Sequence, residues 1–509
     1  MSGGAPPSIC ILGGGTAGWM AACLLQQRWG SRGTRITLIE SSAIPIIGVG
    51  EGSTPQLKAF FDALGIAERE WMPRCHATYK TGIQFRGWSD RPGFDQYFHP
   101  FPTALDVHTA GDFFHHCRLR RLGVDVPAHP DLFFLPARLA AAAKAPLPAA
   151  DFPFDTSYGY HFDAALMGSF LREVATSRGV VHADARIVET VLAPDGDVEA
   201  LLGDDGRRFE ADLFVDASGF RALILEGALG EPHRSFAENL FNDRAVVAPT
   251  PLPAEGPGVC TRSTALSAGW AWHIPLTSRI GNGYVYSSRH CSDEAAASEF
   301  RSHVGLAADA EVRHLEMKVG RLERSWVRNA LAVGLAQGFV EPLEATALHV
   351  VLATVEDFIA AFEQEGATDR TRADFNRGCA SRIEGIRDYI VAHYRAAPRG
   401  DTRYWQEATG HDQLSDSLKA LFTCWFTGRD MVEEIDRQGI AAYYPAISWH
   451  CLFGGYGNFP SVLSPVPDNV RAADMARVEH FLTACAGHYP AHSAALERLD
   501  RAERVGSPG

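Results

Sequence analysis

The stretch SICILGGGTAGWMAACLLQQRWG at residues 8–30, followed by RITLIE at 35–40, decides the architecture of this chain. Residues 8–12 form a short apolar run that reads as a buried strand. GlyGlyGlyThrAlaGly at 13–18 follows, and the residues to Gly30 read as a helix. A second strand then ends in Glu40, about twenty residues past the last glycine. Strand, tight turn, helix, strand and acid in this order make a dinucleotide-binding βαβ unit. Gly13 allows the turn, Gly15 lets backbone approach a pyrophosphate, and Gly18 lets the helix pack closely on the strand. Thr16 and Ala17 open the helix, whose unpaired N–H groups suit an anion, and Glu40 is placed to accept ribose hydroxyls.

The rest of the chain sets the bounds. Its 509 residues, 46% hydrophobic and 21% charged with 48 glycines, read as an ordinary α/β enzyme composition. A net charge of −14 argues against nucleic acid or an anionic membrane as partner, because affinity there comes from Lys and Arg neutralising phosphates. A small organic substrate is expected instead. The ten cysteines are scattered singly with no metal-ligand spacing, which predicts buried thiols, no metal and a reducing cytoplasm. No apolar run is long enough to span a membrane, and a cytoplasmic protein is expected.

Two later segments point from a dinucleotide in general to FAD. Residues 180–219 read as short strands with turns at 195–197 and 204–206, closing on LeuPheValAspAlaSerGly at 213–219. This resembles the second nucleotide-contacting segment of glutathione-reductase-like FAD proteins, and the resemblance implies contacts at Val188 and Asp216. LeuAlaValGlyLeuAlaGlnGlyPheValGluProLeuGlu at 331–344 resembles their flavin-ring segment, implying contacts at Leu335 and, just beyond it, Leu348.

Four further motifs narrow the family: GlyValGlyGluGlySerThrPro at 48–55, ThrTyrLysThrGlyIleGlnPheArgGlyTrp at 78–88, GlyTrpAlaTrpHisIlePro at 269–275 and GluProLeuGluAlaThrAla at 341–347. Together with GxGxxG they make the chain similar to the flavin-dependent halogenases of tryptophan-halogenase type. From pattern alone Lys80 reads as a solvated lysine on a strand continuing through Gln84, and Glu344 as a carboxylate capping a helix. The resemblance instead implies that Lys80 is the catalytic lysine that holds hypohalous acid, made from a halide, O2 and FADH2. It likewise implies that Glu344 positions or activates the oxidant and takes the arene proton. Gly50 and Glu51 would belong to a strap between the flavin and substrate sites. Trp270, Trp272, Ile274 and Pro275 would shield the substrate from the flavin.

The family holds its halide, bromide or chloride, on backbone N–H groups that match Thr346 and Ala347, at a helix start. Here Ala345 replaces the usual Ser and Ala347 the usual Gly, and an Ala at positive φ would be strained. TyrPheHisProPhe at 97–101 resembles a substrate-stacking segment, implying an aromatic sandwich from His99 and Phe101. Trp449 lies in a C-terminal segment similar to the branch of the family without a clamp for free tryptophan.

The expected fold is α/β: a glutathione-reductase-like FAD-binding body with an inserted substrate region and a helical C-terminal subdomain. Its expected segments are 1–58 (FAD-binding βαβ and strap), 59–175 (substrate and tunnel), 176–350 (FAD-binding sheet and WxWxIP) and 351–509 (helical cover with a frayed tail). The expected activity is halogenation of an indole-like arene. A separate NAD(P)H-dependent flavin reductase is the expected partner, since no internal NAD(P)H site is apparent, and a homodimer stays open. An aromatic hydroxylase and a catalytically impaired flavin-binding protein are the rival readings.

Overall fold

The computed structural model describes residues 6–44, 50–466 and 471–506. Strand Ser8–Leu12 lies at the middle of a six-stranded sheet, paired in parallel with Arg35–Glu40 on one side and Leu213–Asp216 on the other. Val181–Asp184 extends the sheet beyond Arg35–Glu40. Ala330–Ala332 extends the other side, with Trp326–Val327 as an antiparallel edge. The sheet thus draws on both the 1–58 and the 176–350 segments. Strands buried on both faces suit an all-apolar run such as Ile9–Ile11. Helix Thr16–Trp29 covers one face, packed between helices Ala164–Ser177 and Ala347–Glu365, and buries Trp19, Met20, Leu24 and Leu25.

A second, seven-stranded mixed sheet carries the tryptophan motif. Gly269–Pro275 lies between Ile280–Tyr286 and Thr261–Leu266, and the latter pairs in parallel with Gly82–Arg86, which leads to the edge strand Gln96–Pro100. A small third sheet, in which Gly159–Asp163 pairs with Gly50–Gly52 on one side and Thr78–Lys80 on the other, packs against the tryptophan strand through Gly50–Gly52. Residues 187–210 fold into an antiparallel three-stranded meander whose turns fall at the expected AspGly positions. From Ala347 onward the described residues are mainly helical, as expected.

One expectation needs correction. The lysine strand does not run on through Gln84. It stops at Lys80, because the Thr81 amide donates to Val259 O and Thr81 O accepts from the Phe101 amide, so the chain passes from the small sheet to the large one there. Near the C-terminus, helix His492–Gly506 begins where His492 Nδ1 hydrogen-bonds Pro257 O at 2.9 Å. Residues 48–49 of the glycine-rich stretch and residues 507–509 at the end of the chain lie outside the described residues. Among the described residues, no helix is long and apolar enough to cross a membrane, and all ten cysteines are free.

Candidate active site

The three FAD-like segments meet at the C-terminal ends of the parallel strands, where ligands of open α/β sheets bind. The Gly13 amide donates to Ile39 O, the Ala217 amide to Leu12 O and the Val333 amide to Asp216 O. Gly13 has a φ of 117°, and a Cβ there would collide with Ala217 O, so the turn requires glycine. Gly15 faces open space. The helix it precedes carries no capping side chain and no acid in its first turn, leaving its N–H groups to an anion. On the far side, a Cβ on Gly334 would press on Ala17, so the turn bearing Leu335 abuts the helix start. Leu348, on the first turn of helix Ala347–Glu365, is buried beside it. This cradle fits a dinucleotide.

Not every residue named for the cofactor offers its side chain. Asp216 is fully buried, and its carboxylate accepts from the amides of Ser218, Ile224 and Leu225 and from the Ser218 hydroxyl. It is occupied in shaping its own turn. Glu40 pairs with His182 at 3.0 Å and Arg172 at 3.6 Å. Val188 stands exposed on the meander, in a surface cleft it shares with Arg186 and Arg221. The Glu51 carboxyl is pushed up to about 7 by burial and by the nearby Asp163 charge.

The register of the small sheet builds the next part of the site. Thr78 stands opposite His161, Gly52 also stands opposite His161, and Lys80 is two residues beyond Thr78, so all four share one face. The reading of Lys80 as surface is overturned: its side chain is buried, and its amine has no hydrogen-bond partner. The amine sits 5.2 Å from the centre of the Phe101 ring. Burial pushes its pKa down to about 7, against the raising pull of Glu344 and Cys260. On the opposite face, Tyr79 joins Tyr158 and Tyr160 in donating hydroxyls to the Glu68 carboxylate at 2.7–2.8 Å.

Glu344 ends a short turn, Pro342–Glu344, from which Ala345 enters the left-handed region at φ 56° before Thr346 opens helix Ala347–Glu365. The strained alanine is therefore Ala345. That helix start also has no capping side chain and no first-turn acid. The Glu344 carboxylate is buried and held from two sides: His393 Nε2 donates at 2.8 Å and His99 Nδ1 at 2.9 Å. Burial alone would raise its pKa, but the His99 charge and the bonds from both imidazoles hold it at about 2. Beyond them, His393 Nδ1 meets the Tyr456 hydroxyl at 2.8 Å and His99 Nε2 meets the Ser448 hydroxyl at 3.0 Å. A surface turn at 97–101 is excluded, since residues 96–100 are a strand with His99 buried and Phe101 at 9% exposure.

A cluster of aromatic rings lies beside His99. Tyr389 stacks on Tyr444 with ring centres 3.6 Å apart, meets Trp449 edge-on at 4.9 Å and lies 5.9 Å from His99. The Tyr444 hydroxyl and the Trp449 indole N–H are buried without partners. Trp270 and Trp272 are both buried with ring centres 6.2 Å apart. Trp270 donates to Glu341 at 3.1 Å, while the Trp272 N–H has no partner. Ile274 is buried against Gly50, and Pro275 O accepts from the Thr78 hydroxyl at 2.7 Å.

A protein-family model described as "Tryptophan halogenase" matches residues 8–472, which takes in the cradle, the lysine, the tryptophan strand and Glu344. This chain belongs to the tryptophan halogenase family. It is a flavin-dependent halogenase, an oxidoreductase. It is 36% identical over 504 residues to the tryptophan 6-halogenase SttH of Streptomyces toxytricini, with 94% of each chain covered. It is also 36% identical over 471 residues to the tryptophan 7-halogenase RebH of Lentzea aerocolonigenes, covering 89% of this chain and 85% of that one. Among solved structures, BrvH, a flavin-dependent halogenase from Brevundimonas sp. BAL3, superposes with a TM-score of 0.83 at 32% identity, covering 97% of this chain and 99% of that one.

Sequence reasoning missed several residues of this halogenase site: His393, Tyr456, Ser448 and Tyr389 around Glu344, Glu341 behind Trp270, and His161 and Thr261 beside Lys80. His393 alone left a signal. It interrupts the apolar run TyrIleValAlaHisTyr at 389–394, a buried stripe of a long helix, where an unpaired imidazole would be costly.

Proposed function

We propose that this halogenase uses FADH2, O2 and a halide, bromide or chloride, to halogenate an electron-rich, indole-like arene, with Lys80 receiving the oxidant and Glu344 the arene proton. The observation that carries this reading is the Lys80 amine, completely buried, unpartnered and facing the Phe101 ring. Such a group is costly to bury without a purpose.

When bound, reduced FAD supplies hypohalous acid by reducing O2 and oxidising the halide. Gly13, Gly15, Thr16, Ala17 and Gly18 would hold its pyrophosphate and Glu40 its ribose. The backbone near Val188 would take the adenine, Asp216 would shape the turn beneath, and Leu335, Leu348 and the Gly50–Glu51 strap would line the flavin ring. The N–H groups of Thr346 and Ala347 would hold the halide. A separate NAD(P)H-dependent reductase supplies the FADH2, in keeping with the single glycine-rich βαβ cradle in the sequence.

The chain's own residues then have distinct tasks. Burial favours the neutral amine of Lys80, which can take the halogen from hypohalous acid with loss of water and pass it to the arene carbon. Glu344, ionised at neutral pH, accepts the proton that the arene carbon loses, and the return of a proton to the Lys80 nitrogen as the halogen leaves restores the neutral amine. Both carboxylate oxygens keep a lone pair for the arene proton. His99, Phe101, Tyr389, Tyr444 and Trp449 form the aromatic wall for a flat ring, and Trp270 and Trp272 keep that ring away from the flavin. The relatives named as halogenating tryptophan support an indole ring.

The test is to supply FAD, a flavin reductase, NADH, indole and either chloride or bromide, and to read product masses. A halogen isotope pair is expected. A gain of one oxygen would mean a hydroxylase, and no product with FADH2 still oxidised would mean an impaired halide site at the strained Ala345.

A further inference from the structure

The groups around Lys80 leave one arrangement of hydrogens open. Thr78 Oγ1 lies 2.7 Å from Pro275 O, an acceptor only, so its single hydrogen points there. Thr78 Oγ1 must then accept from His161 Nδ1, 2.9 Å away. His161 is buried, and burial holds it well below the ordinary histidine pKa, so it is neutral with one ring hydrogen, spent on Nδ1. Its Nε2 is therefore an acceptor, and the Thr261 hydroxyl 3.1 Å away must donate to it. Thr261 is left with an oxygen whose remaining lone pairs have no partner within the chain.

Those lone pairs and the lysine amine face the same gap. An atom at the Cβ position of Gly52 would lie 3.2 Å from Lys80 Nζ, 3.3 Å from Thr261 Oγ1 and 3.6 Å from the His161 ring. Gly52 keeps that gap open by having no side chain. The amine has N–H groups and no acceptor, and the hydroxyl oxygen has lone pairs and no donor.

We propose that Thr261 and His161 are positioning residues for Lys80: the chain from Pro275 O through Thr78 and His161 turns the Thr261 Oγ1 lone pairs toward the gap at Gly52, so that the amine, unpartnered at rest, gains Thr261 Oγ1 as the acceptor for one N–H when it turns to meet the oxidant, which aims its own lone pair there. The anchor of this chain is the proline of the tryptophan motif, so the strand that shields the flavin also sets the bearing of the lysine. Glu344 and Cys260 are the charged or ionisable groups that act on the amine through space, and at rest no group, Thr261 included, hydrogen-bonds it. His161 carries no charge in this role and transfers no proton.

The inference rests on the proposed role of Lys80, and the two are separable. In the assay above with bromide and indole, Lys80→Ala is expected to abolish bromoindole while FADH2 oxidation continues. Thr261→Val, which keeps the shape and removes the hydroxyl, is expected to lower bromoindole per FADH2 oxidised by about tenfold, the cost of roughly one hydrogen bond in the transition state, with the KM for indole unchanged. Thr261→Ser is expected to restore the yield. If Thr261→Val does not bind FAD, Thr261→Ala carries the same expectation. Full coupling in the hydroxyl-free variant, or a Ser variant as poor as it, overturns the inference. Bromoindole from Lys80→Ala overturns the role of Lys80 itself.

Discussion

Lys80 and Glu344 are both almost completely buried, yet the protein treats them in opposite ways. Glu344 receives a hydrogen bond on each oxygen and is held at about 2, while the Lys80 amine has no partner and is pushed down to about 7. A buried charge with partners is stabilised as a charge, and one without them is driven toward neutrality. The carboxylate is thus built to stay ionised and the amine to react.

The largest effect that could break this contrast comes from removing the amine. Lys80→Met is expected to cut halogenation by about 10²–10⁴-fold with FAD binding retained. It should also stabilise the fold. The folded pKa of about 7 lies below the ordinary 10.5, so the unfolded chain binds the extra proton between those values. The cost of burial is full below about pH 7 and disappears above about pH 10.5. Melting curves should therefore show a gain on the order of 5 kcal/mol near pH 6 that vanishes at high pH. A destabilised Met variant would mean that the amine has a partner.

Next comes the carboxylate. Glu344→Gln is expected to lower halogenation by about 10–100-fold, since an amide cannot take the arene proton. Its stability signature is the reverse of the lysine's. With a folded pKa of about 2 against an ordinary 4.5, Glu344 contributes stability that is complete above about pH 4.5 and lost as the pH falls through 2. The Gln variant should show a flatter melting profile in that range.

A subtler effect joins the two groups. Halogenated product per FADH2 oxidised should rise with pH around a midpoint near 7, because the neutral amine is the reactive form. Glu344 raises the lysine pKa, so in Glu344→Gln the midpoint should move to lower pH. A midpoint that stays fixed would show that the two groups do not sense each other.

The smallest effect expected is at the halide turn. Ala345→Gly relieves the left-handed strain at φ 56° but adds freedom to the unfolded chain, so stability should change by less than about 1 kcal/mol. A fall in the halide KM would show that the alanine distorts the N–H groups of Thr346 and Ala347.

The βαβ unit was legible because glycine spacing, apolar runs and a terminal acid are local features, and the structure keeps all of them within residues 8–40. The tryptophan strand was legible for the same reason. The burial of Lys80 was not, because strand alternation gives a face but not what covers it. The cover comes from Gly52, Phe101 and Thr261, and the break at Thr81 from hydrogen bonds to residues 259 and 101. The partners of Glu344 were hidden by distance along the chain: His99 lies 245 residues before it and His393 49 after. The bonding of Asp216 was not legible because a strand-ending acid can serve a ligand or its own turn, and its carboxylate accepts from four donors of that turn.

The tyrosine cage on Glu68 has a bearing on the enzyme's lifetime. Phenols are electron-rich rings and so are targets for the same oxidant as the substrate. Tyr79 is the neighbour of Lys80 on one strand, and the pleat turns its ring, with those of Tyr158 and Tyr160, to the far side of the small sheet. Tyr389, Tyr444 and Trp449 have no such barrier. Enzyme cycling without substrate should mark itself in that order, with halogen appearing on the pocket wall well before the cage, and peptide mass mapping would read the pattern as a footprint of where the oxidant travels.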